Sequence, residues 1–166
     1  ALHAALTGHL VFSTLHTNDA VGAIPRFLDL NAKPQILASA LNAAVGQRLV
    51  RKLCPSCKKE AFLDIEKIKS SLAGVAGFDW PKEIKTYQAT GCEKCGGTGY
   101  KGRVGIYEVL LVDENMEKLV GVNPSNQDIL IQARKNNFIT MYQDGLMRVL
   151  NGETALEEVE RVTSKD

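Results

Sequence analysis

Two tight cysteine pairs, Cys54-Pro55-Ser56-Cys57 and Cys92-Glu93-Lys94-Cys95, limit what this chain can fold into. Between them lie 34 residues, Lys58 to Gly91. Each CxxC knuckle sets two sulfurs on one turn, and two knuckles supply the ligand number and type of a tetrahedral structural zinc site. The Cys54-Pro55 and Gly96-Gly97 contexts permit the tight backbone this needs. Four sulfurs saturate zinc, so no position remains for a catalytic water, and the ion closes the spacer into a small subdomain. Cys54, Cys57, Cys92 and Cys95 are therefore the expected metal ligands. The same residues allow two disulfides in an oxidising compartment, four free thiols, or a redox pair, although one CxxC would serve redox chemistry. Ala1 to His9 carries neither a basic n-region nor a long apolar run, so it does not read as a signal peptide, which favours zinc in a reducing compartment.

Charge narrows the partners. The chain has 20 basic and 19 acidic residues, formally +1; four thiolates with Zn²⁺ add about −2, for a total of about −1. Aromatic residues make up 6%. Neither value suits a nucleic-acid surface. A nucleic-acid-binding zinc ribbon is the rival class, and Lys58 and Lys59 are offset by Glu60, Asp64 and Glu66. No apolar run approaches the roughly 18 residues of a membrane span, so no membrane insertion is expected.

Three zones follow along the chain. Residues 1–53 are Ala/Leu-rich and begin like the tail of a helix that started upstream, which suggests a fragment. His9 to Leu15 reads as a buried strand of a parallel α/β sheet. Thr17-Asn18-Asp19 offers N-caps for a helix over 20–29, with Val21, Ile24, Phe27, Leu28 and Leu30 at helical spacing. A second helix is predicted from Pro34 to about Val45, burying Ile36, Leu37, Ala40, Leu41 and Ala44. Residues 54–99 hold the knuckles and a charged spacer with a helix near 64–73 and the single Trp80 ahead of Pro81. Residues 100–166 read as a strand over Val104–Val112 and then helices. Ser125 and Asp128 have capping-box spacing, as do Thr154 and Glu157.

Softer signals lie around the first strand. Ser13, Thr14 and His16 fall near its C-terminal end, where open α/β sheets bind ligands. A hydroxyl and an imidazole there suit a γ-phosphate or its attacking water; structural capping is the competing role for His16, and more so for His9 at the strand start. Asp19 reads as a helix cap, and His3 as structural. Gly96 to Arg103 is glycine-rich and reads as a turn. No GxxxxGK[ST] phosphate loop occurs in the chain. Gln47, Arg48, Arg51 and Lys52 form a basic stripe suited to a solvated or subunit-facing surface.

Taken together, these motifs resemble the secretion and type IV pilus assembly ATPases, the GspE/PilB branch of the secretion ATPase superfamily. Thr7-Gly8-His9-Leu10-Val11-Phe12-Ser13-Thr14-Leu15-His16-Thr17-Asn18-Asp19-Ala20 resembles the histidine box of that family. Gln47 to Cys57 resembles the approach to its first zinc knuckle, and Gly91 to Cys95 with Thr98 to Val109 its second. Asp144-Gly145, Val149, Gly152 and Leu156 to Thr163 fit its tail. The stretch Gly99 to Glu108 and the ending Arg161-Val162-Thr163 lean toward the pilus assembly members, with type II secretion ATPases as the alternative.

The resemblance implies an α/β fold: the C-terminal part of a RecA-like P-loop NTPase domain with an inserted four-cysteine zinc subdomain and a helical end. It implies three domains: a truncated ATPase core at 1–53, the zinc subdomain at 54–99, and a strand return with helices at 100–166. It implies a cytoplasmic homohexamer that docks peripherally on inner-membrane platform proteins and drives pilin polymerisation or pseudopilus extrusion with ATP and Mg²⁺. His9 and His16 would lie near the nucleotide, Thr14 and His16 would sense the γ-phosphate, and the four cysteines would bind zinc. The Walker A, aspartate-box and Walker B residues of the family precede the histidine box and are not present here, so this chain alone is expected not to hydrolyse ATP. A zinc-stabilised interaction module without ATPase activity is the other reading.

Overall fold

The computed structural model describes residues 1–80 and 83–163; Pro81 of the spacer and residues 164–166 of the tail lie outside the described residues. Helices α1 (Leu2–Leu6), α2 (Ala23–Asp29) and α3 (Pro34–Ala40) lead into strand β1 (Ala43–Leu53). A short strand β2 (Lys59–Ala61), helix α4 (Ile65–Ser71), strand β3 (Thr86–Gln88) and a 3₁₀ turn at Glu93–Cys95 follow. Strand β4 (Tyr100–Leu111) then gives way to α5 (Glu114–Val120), α6 (Asn126–Lys135), α7 (Met141–Leu150) and α8 (Leu156–Thr163).

The chain divides into two compact units, each assembled from two separate stretches of sequence. The first comprises Ala1–Gly46 and Glu108–Phe138, the second Gln47–Tyr107 and Ile139 onward. Strands β1 and β4 pair with each other, and each contributes residues to both units. Hydrogen bonds from Val112 N–H to the Asn42 carbonyl and from Cys54 N–H to the Gly99 carbonyl show the pair to be antiparallel.

In the first unit, Ile24, Leu37, Leu110, Met116, Val120 and Ile129 are the large buried residues, with Phe27, Leu28 and Phe138 packed against them. Asp113 caps α5, accepting from Met116 N–H at 2.8 Å. Ser125 caps α6 in the predicted capping box with Asp128. In the second unit, Val50, Ile106, Met141, Val149 and Val159 form one cluster. Ile68, Leu72, Leu146 and Leu150 form another, which gathers the spacer helix α4 against α7. Strands β2 and β3 pair antiparallel, Lys59 opposite Gln88.

Three expectations are corrected. His9 to Leu15 forms no strand: the segment has no regular structure, with Leu10 79% and Phe12 88% exposed. A strand exists only where a neighbour accepts its backbone hydrogen bonds, and among the described residues the sheets are the antiparallel pairs β1–β4 and β2–β3. The helix from Pro34 ends at Ala40 rather than near Val45, because Ala43 onward is taken into β1. Thr154 precedes α8, but its hydroxyl donates to the Arg51 carbonyl at 2.9 Å. The positions of two other helices agree, α2 within 20–29 and α4 within 64–73; α2 starts behind Gly22 with no side-chain cap in place of the Thr17-Asn18-Asp19 caps expected, and Asp64 accepts from Lys67 N–H to cap α4.

Candidate metal centre

The four cysteines converge. Their Sγ atoms all lie within 4.8 Å of one another, forming the one His/Cys/Asp/Glu cluster among the described residues able to hold a metal ion. Cys54 and Cys92 are 4.0 Å apart, Cys57 and Cys95 3.9 Å, Cys92 and Cys95 3.7 Å. A tetrahedron with Zn–S bonds of about 2.3 Å has edges of about 3.8 Å. The separations fit that figure and are far longer than the roughly 2.05 Å of a disulfide; all four thiols are free. Cys54 is buried and the others half-buried.

Local chain chemistry makes the convergence. Cys54 follows β1 directly, and its N–H donates to the Gly99 carbonyl just ahead of β4, so the strand pair delivers the first knuckle beside the end of the second. Within the first knuckle, Cys57 and Lys58 N–H both turn back to the Cys54 carbonyl. The Thr90 hydroxyl donates to the Cys57 carbonyl. In the second knuckle, Gly97 N–H donates to the Cys92 carbonyl at 2.9 Å. Gly91 is needed there: its φ is +104°, and a Cβ would sit 2.4 Å from the Gly97 carbonyl oxygen.

Cys92 and Gly99 N–H both donate to the Cys95 sulfur at 3.2 Å. Burial works to raise the Cys95 thiol, but these two backbone donors, together with the Cys92 and Cys57 thiols beside it, hold it at about 6. Burial, with contacts to Cys95 and Cys57, pushes the Cys92 thiol up to about 11. Backbone N–H groups aimed at sulfur favour thiolate, the form that binds a metal. Donor set, spacing and backbone donors together fit a structural zinc ion, which would cross-link the two knuckles.

The flank of the knuckles is pinned by charge. Glu158 on α8 has a fully buried side chain, bonded to Arg51 N–H at 3.0 Å, Arg51 Nη2 at 2.7 Å and Arg161 Nη2 at 2.8 Å. Burial alone would raise this carboxyl; the Arg161 and Arg51 bonds hold it at about 2. The Arg51 guanidinium also lies 4.2 Å over the Tyr100 ring. Lys58 reaches the Gly152 carbonyl at 2.9 Å and lies 4.3 Å over Tyr87. Arg51, like Gln47, Arg48 and Lys52 of the stripe, is exposed, and it also pairs with the buried Glu158 carboxylate.

The histidine segment is not gathered into this centre. His16 and Thr14 are exposed. His9 Nδ1 lies 3.2 Å from the Thr7 hydroxyl and 3.3 Å from the Ala4 carbonyl, at the C-terminus of α1. Asp19 accepts from Gly22 N–H at 2.7 Å and so closes the turn ahead of α2, whereas the helix cap expected of it falls at Gly22, which makes no side-chain cap bond. Sequence reasoning passed over Glu108 and Glu158. Glu108 is in phase with Ile106 and Leu110 along β4 and is buried with them, so the period-2 pattern marked an inward carboxylate. Glu158 stands next to Val159 in α8, and no local pattern marks it as interior.

Among the described residues, no helix is long and apolar enough to cross a membrane. Residues 1–161 match the family model described as "Type II/IV secretion system protein". The chain is 44% identical over 99% of its length to "Type II secretion system ATPase E" of Vibrio cholerae, covering 32% of that protein. It is 43% identical over 96% of its length to "Type IV pilus assembly ATPase PilB" of Thermus thermophilus, covering 18% of that protein. To "Type IV pilus assembly ATPase TfpB" of Acinetobacter baylyi it is 42% identical over 98% of its length, covering 27%. The chain spans about a third of the length of the first of these relatives. A match over nearly every residue, with the four sulfurs gathered as the two knuckles require, places the chain in the type II/IV secretion system protein family.

Proposed function

We propose that this chain is the C-terminal portion of a hexameric ATPase that drives pilin polymerisation in type IV pilus assembly. The match over residues 1–161 carries the reading. Relatives named for type II secretion and for pilus assembly stand at 44% and 43% identity, so pseudopilus extrusion in type II secretion is the second reading. The lean toward the pilus rests on the stretch Gly99 to Glu108 and the ending Arg161-Val162-Thr163.

In this reading the first unit is part of a RecA-like core whose phosphate loop, Mg²⁺ ligands and further strands lie upstream of Ala1. The exposure of Leu10 and Phe12 supports it, since those strands would cover them. Thr14 and His16 then sense the γ-phosphate, with His9 near the nucleotide. The zinc ion supplies a rigid cross-link and takes no part in hydrolysis. The enzyme works in the cytoplasm, against inner-membrane platform proteins, and the present chain alone is inactive.

The test compares the full-length protein with this chain for ATP hydrolysis. Turnover by the full-length protein alone is expected, and His16→Ala should lower kcat at least about tenfold while leaving nucleotide affinity nearly unchanged. Equal loss of binding and turnover would remove the sensor role. A full-length protein without ATPase activity would favour an interaction module.

A further inference from the structure

Glu108 is a carboxylate in the first unit that the proposed chemistry leaves unused. It is 5% exposed. Its Oε1 accepts a hydrogen bond from the backbone N–H of Ala20, 88 positions away in sequence. Ala20 is the first buried residue of the chain; each of the nineteen before it is at least partly exposed. Around it the turn is already tied: the Thr17 hydroxyl donates to the Asp19 carbonyl at 3.0 Å, and Gly22 N–H donates to Asp19 at 2.7 Å. Gly46 on β1 completes the arrangement. A Cβ there would lie 2.9 Å from Glu108 Cγ, 3.0 Å from Oε1 and 3.3 Å from Ala20 N. Only a bare backbone at position 46 lets the carboxylate and the amide meet.

A buried carboxylate is a costly way to fill space. What it offers, and an aliphatic side chain does not, is a directional acceptor for one amide. We propose that Glu108 is a positioning residue: with Gly46 it clamps Ala20 and sets where the segment carrying Thr14 and His16 leaves the core. The clamp itself stands on this chain; its effect on turnover rests on the ATPase reading above.

The test uses the full-length protein with Glu108→Ala, Glu108→Gln and Gly46→Ala, reading amide exchange by region together with ATP hydrolysis. Glu108→Ala and Gly46→Ala should each speed exchange over residues 14–22 about tenfold, with α6 of the same unit changing less than about twofold. Turnover should fall about tenfold at nearly unchanged KM. Glu108→Gln, which keeps an acceptor oxygen, should restore both. Unchanged exchange over 14–22, an equal rise in α6, or failure of Gln to rescue would each overturn the clamp. Faster exchange with normal kcat would overturn the positioning role. A wild-type protein without ATPase activity would sink the ATPase reading instead, and the exchange pattern would still decide the clamp.

Discussion

Glu158 shows how one side chain can organise the approach to the cysteine cluster without belonging to it. Its carboxylate is out of water, yet four donors from Arg51 and Arg161 meet it, and both guanidiniums keep part of their surface in solvent. Removing the charge should therefore cost less than breaking a fully buried pair. Glu158→Gln is expected to destabilise the chain by about 1–3 kcal/mol near neutral pH. The sign with pH follows from the lowered carboxyl. Its folded value of about 2 lies below the ordinary 4.5, so its contribution is complete above about pH 4.5 and fades as pH falls toward about 2. Urea unfolding of both proteins at neutral pH and near pH 3.5 should show the gap between them narrowing in acid. A gap that stays constant or widens would contradict this account. At this scale the cysteines were legible and the glutamates were not. CxxC spacing encodes its chemistry in four consecutive residues, whereas the roles of Glu108 and Glu158 depend on partners 88 and 107 positions away.

Among the elements, α7 and α8 pack in close contact. Gly145 of α7 faces Val159 of α8, and a Cβ at 145 would lie 2.4 Å from Val159 Cγ1. Alanine would gain about 1 kcal/mol in helix propensity, but overpacking against a fully buried valine costs about 1–3 kcal/mol and should outweigh that gain. Gly145→Ala is thus expected to destabilise. Gly121 is the contrasting position: it ends α5 in right-handed helical geometry, and the nearest atoms to a new Cβ are carbonyls of its own helix at 3.5 Å. Gly121→Ala should stabilise by about 0.5–1 kcal/mol. Thermal unfolding of the two variants should move in opposite directions; parallel shifts would contradict the packing argument. Elements that carry their own boundary signals were readable from sequence, as α6 with its Ser125–Asp128 box shows. The segment His9 to Leu15 was misread because apolar continuity reports a preference for extended, buried backbone and says nothing of a neighbour to pair with. The helix at Pro34 was extended too far because Ala43 to Val45 suit a helix face by composition, while strand pairing with β4 decides their state.

Over the whole molecule, the two compact units are each built from stretches far apart in sequence. Such interleaving depends on pairings between residues tens of positions apart, which no local window contains. The family, by contrast, was legible because it is carried by several motifs at fixed separations along the chain. The cysteine cluster ties the two levels together: local knuckles, delivered to one point by the longest strands. The most direct test is metal content per chain, measured by elemental mass spectrometry on protein purified without added metal, with thiols counted in parallel. The account predicts about one zinc per chain, and four thiols that react only after chelation or denaturation. Metal-free protein whose four thiols titrate freely, and which takes up no zinc under reducing conditions, would contradict it.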